Sequence, residues 1–417
     1  MLRLLSRLPL EAGDYDPRDP AQSAEACALA DGMLGELGPG EAGRVLGELE
    51  GELVAREAPL LAQLATKLAR SKAALRALRE PTHLSLVFAM YKEHTRILPP
   101  SQHPHGEDFL LQKIAQLDWL FEGGGGHAWD LVAVDDGCPE GSGRLAQEIL
   151  REHAPAAPVR VLFLEEAIAE GLEVVRPLRS PSESQKGGSV VYGMWAAAEA
   201  GPGREGSRHV VGFTDADLST NLGQAGLLME GICAGGKDAA IGSRRERASI
   251  VIKQGKRNTR GKLFIYLWKG LIRPLGGIID TQCGFKAFDA ETVRAITPGM
   301  IEKGFAFDVE LLLKTELRRK GSITKVPIAW IDSDEASTTA DLEPYLSMLG
   351  AIARMYREYL PPDPEAEALA GWIEGLTEEE WNRLSEHVPA AIAEGEPAEF
   401  SELRPVSLQE LRQASRL

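Results

Sequence analysis

An α/β fold with a mostly parallel sheet and helices on both of its faces is expected from three features of the 417-residue sequence. Short apolar or β-branched runs recur: LSLVFAM at 84–90, DLVAVDDG at 130–137, VRVLFL at 159–164 and HVVGFTDAD at 209–217. Segments of helical pattern, FLLQKIAQLDWLF and GRLAQEILREH, lie between them, and this alternation is the mark of βαβ units. The composition, 44% hydrophobic and 26% charged, is that of a core-forming soluble chain. At roughly 150 residues per domain the length suits two to three units.

Three regions follow in order. Residues 1–80 read as a helical N-terminal extension. In the run LVAREAPLLAQLATKLARSKAALRALRE, Leu53, Leu60, Leu61, Leu64, Leu68 and Leu75 fall near helical spacing until Pro81. No chemistry is expected there; a structural cap or a homodimer contact is. Residues 81–360 hold the strand-helix alternation. Residues 361–417 carry 13 acids and 4 arginines, net −9, with Trp372, Ile373, Leu376, Trp381 and Leu384 offering a packed face to an acidic helical extension.

Several classes are excluded by charge and cysteine usage. A net charge of −16 does not suit non-specific nucleic-acid binding. Cys27, Cys138, Cys233 and Cys283 are scattered without a CxxC pair, so neither a disulfide scaffold nor a structural zinc site is expected. Arg3 and Arg7 interrupt the opening MLRLLSRLPLEAGDYD, which does not read as a secretory leader. No uncharged apolar stretch approaches the ~20 residues of a membrane span. A cytoplasmic protein is expected.

In a sheet of this kind ligands gather at the carboxyl ends of the strands. The first strand runs into Tyr91-Lys92-Glu93 and the second ends in Asp135-Asp136-Gly137. The next leads to Asp215-Ala216-Asp217. Two carboxylates one residue apart can share a Mg²⁺ or Mn²⁺ ion with phosphate oxygens. A diphosphate leaving group gains most from such an ion, because its negative charge grows as the bond breaks. Ser184-Gln185-Lys186-Gly187-Gly188 opens a helical segment, offering close backbone approach, a helix N-terminus and one ammonium to an anion. Ala239–Ser243 reads as a buried strand ending in Arg244 and Arg245. Residues 244–273 then hold ten basic side chains against Glu246 alone; a phosphate-binding groove is expected, a solvated helix face being the alternative. Within it, LFIYLWKGLIRPLGGII is read as a core helix, with an interfacial helix as the alternative. An acid just before or within a helix's first turn is ordinarily a cap, so Asp280 and Asp308 become catalytic candidates only through their context. Cys283 has no histidine nearby, so a thiol nucleophile is not expected.

Taken together, these segments from about 84 to 358 resemble the GT-A glycosyltransferases of family 2, and within them the dolichyl-phosphate glucosyltransferase and polyprenol-phosphate mannosyltransferase branch. The family's Tyr-Asn-Glu is similar to Tyr91-Lys92-Glu93, and its Val-Asp-Asp-Gly-Ser to Val134-Asp135-Asp136-Gly137-Cys138. Its Gly-Lys-Gly segment resembles Gln185–Gly188. The Asp-Ala-Asp at 215–217 and Gly-Ser-Arg at 242–244 are intact. DTQCGFKAF (280–288), FAFDVELL (305–312) and KVPIAWIDSDEAST (325–338) look like the glucosyltransferase branch.

The resemblance implies a GT-A, Rossmann-like fold and transfer of a hexose from a UDP- or GDP-sugar to a phosphate or hydroxyl acceptor, with inversion and Mg²⁺ or Mn²⁺. Glu93 and Asp135, with Asp136 and Tyr91, would hold the nucleoside. Asp215 and Asp217 would flank the metal on the diphosphate, Ala216 lying between them. Arg244 and Lys186 would contact phosphate or acceptor, and Asp280 or Asp308 would orient or deprotonate the acceptor. Four departures stand out: Lys92 for Asn, the insertion PPSQHPHGED, Ser219 where mannosyltransferases often carry Gln, and no transmembrane anchor. A small-molecule or lipid-phosphate acceptor, the latter reached by peripheral membrane contact, fits this pattern. Two rival readings are a sugar-phosphate nucleotidyltransferase, which normally has a GxGxRxxxxT/K loop after its first strand, and a non-catalytic nucleotide-sugar-binding scaffold.

Overall fold

The computed structural model describes residues 4, 8, 9, 15–38, 40–252, 258–332 and 345–416. Its centre is a seven-stranded sheet in the order β3-β2-β1-β4-β7-β5-β8. The strands are β1 (Thr82–Met90), β2 (Ala128–Asp135), β3 (Val159–Phe163), β4 (Arg208–Thr214), β5 (Ala239–Ser243), β7 (Phe285–Asp289) and β8 (Ile323–Pro327). β7 runs antiparallel to both of its neighbours; the other pairs are parallel. A two-stranded parallel ribbon, β6 (Ile250–Ile252) with β9 (Ala329–Ile331), stands beside it.

Each sheet face buries alternate residues, as the two-residue period of a strand requires. Val87, Val132, Val134, Val211 and Phe213 pack with helix Gly187–Ala200 on one face. Leu86, Phe88, Leu131, Ala133 and Val210 pack with helices Phe109–Phe121 and Ala225–Cys233 on the other. The expected α/β architecture with helices on both faces is therefore present, with helices flanking it at both ends of the chain.

The N-terminal helical run is divided. Helix Ala42–Ala55 ends, Glu57 takes a left-handed backbone (φ 50°), and Pro59 caps a new helix, Leu60–Ala77. Proline cannot sit inside a helix without losing a backbone hydrogen bond. Leu60–Ala77 is buried along most of its length; it lies between the other N-terminal helices and the Ala225–Cys233 helix. Most of its surface is spent inside this chain. Leu46, Leu49, Leu53, Leu64 and Leu68 form a third core with Ile250, Ala329 and Ile331 of the ribbon.

The basic stretch divides into unlike parts. Lys253, Lys256 and Arg257 lie outside the described residues, as do residues 333–338 of KVPIAWIDSDEAST. The helix Asn258–Leu271 is a core helix, with Tyr266 and Trp268 fully buried. Three cations of the stretch help seat the acidic C-terminal segment. Lys262 donates to the Ala393 carbonyl (3.0 Å), Lys269 to those of Gly276 (2.7 Å) and Pro397 (2.9 Å). Arg273 pairs with Asp363 (3.1 Å) and Glu365 (3.3 Å). Among the described residues, Lys262, Lys269 and Arg273 are thus committed to contacts within the chain, while Arg244, Arg245 and Arg247 follow the end of β5. Ile373, Leu376, Trp381 and Leu384 pack into the same core as one sheet face. Among the described residues, no helix is long and apolar enough to cross a membrane.

Candidate active site

Strand register brings the candidate residues level. Val87 of β1 pairs with Val132 of β2 and with Phe213 of β4, so the segments after Met90, Asp135 and Thr214 leave one edge of the sheet. β7 enters at that same edge, Phe285 opposite Thr214, which delivers residues 280–284 beside Asp215. Gly284 permits this approach: a Cβ there would lie 2.2 Å from Asp215 Oδ2.

Asp215 is held by the Lys186 ammonium, and each keeps about a third of its side chain accessible (30% and 34%). Burial works to raise the Asp215 carboxyl, but Lys186, with Arg244 and Lys286 beyond it, holds it below the ordinary carboxylate range. Lys186 is raised in turn: burial opposes its charge and Asp215 outweighs that. Asp217 accepts from the Ser219 amide (3.1 Å), and its carbonyl accepts from the fully buried Lys113 (2.7 Å). Burial brings Lys113 down to about 8.

The loop carrying Lys186 is strained and tightly held. Gln185 (φ 42°) and Lys186 (φ 85°) are successive non-glycine residues in left-handed backbone, a conformation that persists only where its surroundings enforce it. Asp136 enforces it: Oδ2 accepts from the Lys186 amide (2.8 Å) and Oδ1 from the Ser189 hydroxyl (2.6 Å). Burial raises the Asp136 carboxyl. Asp135 serves its own loop, accepting from the amides of Cys138 (2.9 Å) and Gly143 (2.7 Å). Both aspartates expected at the nucleoside are thus engaged in shaping loops.

Glu93 pairs with Arg96 (3.0 Å), which is gripped on its other side by Glu107 (3.0 Å) from the inserted PPSQHPHGED segment. Burial pushes Glu93 up, against the pull of Arg96. Tyr91 is half exposed beside Lys92, whose ammonium lies 5.5 Å from the ring centre and whose backbone is left-handed.

At the far side Arg244 grips Asp280 through two side-chain bonds (2.9 and 2.7 Å) and its own amide (2.8 Å), and lies over Trp330. Burial would raise Asp280, yet Arg244 pulls it below the ordinary range, so Asp280 is a weak base and a firm holder of Arg244. Asp308, in the first turn of helix Phe307–Arg318, is buried; it accepts from Gln282 Nε2 (2.7 Å) and from Lys286 Nζ (3.2 Å). Burial raises Asp308 despite Lys286.

The structure therefore brings Glu93, Lys186, Asp215, Ala216, Asp217, Arg244, Asp280 and Asp308 to one edge. Sequence reasoning passed over Arg96, Glu107, Lys113, Gln282 and Lys286. Lys113 had a visible signal, a cation within the apolar helix FLLQKIAQL; Gln282 and Lys286 lie within DTQCGFKAF.

Whether this donor set fits a divalent cation can be judged from its chemistry. Asp215 and Asp217 are hard oxygen donors of the kind Mg²⁺ and Mn²⁺ prefer, and such ions usually keep waters and phosphate oxygens as their other ligands. Among the described residues no third His, Cys, Asp or Glu completes a protein cage. A cation already sits on Asp215 in the form of the Lys186 ammonium. The set fits an ion shared with a ligand's phosphates.

No protein-family model matches the chain. Among characterised proteins it is similar to the dolichyl-phosphate β-glucosyltransferase of Saccharomyces cerevisiae, 27% identical over 273 residues, covering 61% of this chain and 69% of that one. The enzymes of the same name from Drosophila melanogaster (28% over 264 residues; 61% and 69%) and Dictyostelium discoideum (26% over 286 residues; 67% and 75%) are similar too. Among solved structures, glucosyl-3-phosphoglycerate synthase from Mycobacterium tuberculosis covers 72% of this chain and 86% of its own, at 18% identity and a TM-score of 0.45, a likeness too faint to inform function. The sequence relatives bear out the resemblance to family-2 glycosyltransferases, and with it the expectation of a glycosyltransferase enzyme.

Proposed function

We propose that the chain transfers a hexose, glucose by analogy with its relatives, from a UDP- or GDP-sugar to a phosphate or hydroxyl acceptor, with inversion at the anomeric carbon. The region 81–360 would carry the chemistry, with 1–80 and 361–417 as helical extensions. The observation that carries this reading is the convergence of Asp215–Asp217, Lys186, Arg244 and Asp308 on one sheet edge.

Each residue then has a task. Asp215 and Asp217 would hold Mg²⁺ or Mn²⁺, whose chemistry when bound is to neutralise charge on the departing diphosphate. Lys186, displaced from Asp215, adds a second positive charge beside that diphosphate, and Arg244, fixed by Asp280, presents its remaining guanidinium edge to phosphate. The acceptor oxygen forms a bond to the anomeric carbon while the carbon–oxygen bond to diphosphate breaks and the diphosphate leaves with the electron pair. A phosphate acceptor brings its own negative charge; a hydroxyl acceptor delivers its proton to Asp308. The raised position of Asp308 suits it to that second case. Glu93, steadied by Arg96, lies on the nucleoside side.

A thermal-shift screen of UDP-, GDP-, dTDP- and CDP-sugars, each with Mn²⁺ and with EDTA, tests the reading. Stabilisation by one nucleotide sugar that requires the metal is expected. No shift with any of them would favour a scaffold without donor binding and overturn the proposal.

A further inference from the structure

Helix Phe109–Phe121 packs against the sheet, yet three of its buried side chains are polar: Gln112, Lys113 and Gln116. Each reaches main chain outside the helix. Lys113 Nζ donates to the Asp217 carbonyl (2.7 Å), and Gln116 Oε1 accepts from the Leu222 amide (2.8 Å). Gln112 Nε2 donates to the carbonyls of Glu107 (2.8 Å) and Arg18 (3.0 Å).

Lys113 and Gln116 stand three positions apart and share one helix face. They hold the two ends of the segment 217–222, which follows directly on Asp215 and Ala216. The ribbon holds its middle, the Ile331 amide donating to the Ser219 carbonyl (2.9 Å). Within the segment Asp217 Oδ1 accepts from the Ser219 amide (3.1 Å), and Asn221 Oδ1 accepts from the Gly223 amide (2.8 Å) just beyond. Residues 218–222 are buried, while Asp215 and Asp217 stay partly accessible.

Lys113 is the unusual member of this set. A buried ammonium is normally paired with a carboxylate, because a charge away from water is costly. Here the fully buried Nζ is hydrogen-bonded to a main-chain oxygen and lies 5.8 Å from the Phe88 ring centre. Asp217, Asp215 and Glu107 favour its charge from farther off, and Arg96 opposes it. The inserted segment ties the same helix to Glu93. The Glu107 carbonyl receives Gln112, and its carboxylate grips Arg96 (3.0 Å), which pairs with Glu93 (3.0 Å).

We propose that Lys113 and Gln116 are positioning residues of the transfer site, fixing the main chain after Asp215 so that this carboxylate and that of Asp217 stand ready for a divalent cation. The inference rests on the transfer reading and deepens it. Two like charges held one residue apart repel, and a loop ordered before its ligand arrives loses less conformational freedom on binding. Supporting contacts of this kind set how well a site is preorganised. The inserted segment gains a task as well, since through Glu107 it fixes the metal side and the nucleoside side to one helix.

The test measures Mn²⁺ binding by electron paramagnetic resonance on the full-length chain, with UDP or GDP, whichever the thermal-shift screen selects. Wild type, Lys113→Met and Gln116→Leu are compared well below their melting temperatures. Nucleotide affinity in EDTA is measured separately on each, and hydrogen exchange of residues 217–223 is followed in the ligand-free wild type. The expected result is Mn²⁺ affinity weakened at least tenfold in Lys113→Met and about threefold in Gln116→Leu, with nucleotide affinity in EDTA changed less than twofold. In the wild type, residues 217–223 are expected to exchange at least about a hundredfold more slowly than an unstructured peptide. Wild-type Mn²⁺ affinity in a folded Lys113→Met overturns the inference and leaves the transfer reading intact. Equal losses of Mn²⁺ and of nucleotide in EDTA overturn it too, because they report general damage to the fold. A wild type that binds nucleotide sugar but no Mn²⁺ ends the metal assignment and this inference together. Should Lys113→Met not fold, Gln116→Leu and the wild-type exchange carry the test, and rapid exchange of 217–223 overturns the inference.

Discussion

The two ends of the central sheet solve the problem of buried charge in opposite ways. At the amino ends of β1, β2 and β4, Asp130 accepts from Ser85 and meets His83 Nε2 at 2.7 Å, and Ser85 meets His209 Nε2 at 2.9 Å. Ser85, His83 and His209 are all buried, the Nδ1 atoms of both imidazoles have no hydrogen-bond partner, and Arg160 reaches the cluster from outside, 3.2 Å from Asp130. At the carboxyl ends, Asp215, Lys186 and Arg244 keep between a quarter and a third of their side chains accessible. Two consecutive non-glycine residues there hold left-handed backbone. One end is closed on itself and contributes stability. The other has charges whose present partners can be exchanged for those of a ligand, which is how a binding site differs physically from a structural ion pair.

Removing a carboxylate from the open end should be the costliest change for activity and the mildest for the fold. Asp217→Ala is expected to lower metal-dependent turnover by about 10³-fold, the scale of a lost charge-stabilising group, with the melting temperature little changed. Initial rates over a Mn²⁺ titration, alongside a thermal melt, measure both. Wild-type turnover in that variant would remove the metal assignment.

The reverse should hold for the closed ion pairs of the N-terminal helices. Lys67 is fully buried; it pairs with Glu50 and donates to the carbonyls of Ala248 and Pro327 (3.1 Å each), so it ties those helices to both strands' approach to the ribbon. Lys67→Met leaves Glu50 buried with Arg70 alone (2.6 Å). A loss of about 3 kcal/mol is expected, at the lower end of the range for breaking a buried pair. Denaturant unfolding measures it. A change below about 1 kcal/mol would show that the contact is not a structural tie.

The site was legible where its residues are neighbours in sequence, and hidden where folding alone makes them neighbours. Asp215 and Asp217 share a strand end, Gly242–Arg244 another, and Gln185–Gly188 a helix start, so residue type and spacing suffice. Glu107 meets Arg96 across 11 positions, Asp308 meets Lys286 across 22, and Glu50 meets Lys67 across 17; no local pattern reports such pairs. Three cations of the basic stretch were hidden for the same reason, since Lys262, Lys269 and Arg273 are claimed by residues some 90 to 130 positions away. The helical break at Pro59 was passed over in a run read through to Pro81, although proline is a local signal.

Between those extremes lies Asp308, buried like the closed cluster but placed at the open end. Asp308→Asn preserves the bond from Lys286 to a carbonyl-type oxygen and removes the base. With a hydroxyl acceptor the loss should be about 100-fold in kcat; with a phosphate acceptor it should be under tenfold. The rate of the wild-type enzyme on a hydroxyl acceptor should fall with acid at a pH above the ordinary carboxylate range, because burial raises this group. Identical losses on both acceptor types would assign Asp308 a structural task in holding Lys286 instead.

The smallest expected effect tests the closed end. Burial draws His209 down to about 4, with His83, Arg294 and Arg160 adding to the shift and Asp130 opposing it. The folded chain thus keeps this imidazole neutral while the unfolded chain protonates it at an ordinary histidine pKa of about 6.5. Between those values the unfolded state binds more protons, so stability is lost as pH falls from about 6.5 towards 4. The contribution is about 1–3 kcal/mol over the window. Other groups titrate across the same range, so the informative quantity is the difference between wild type and His209→Gln, which removes the titrating ring. The variant should start less stable at pH 7.5 and show a shallower decline towards pH 4.5 in denaturant unfolding. Parallel declines would mean that His209 is protonated in the folded chain as readily as in the unfolded one, and the closed end would then be no more sealed than the open one.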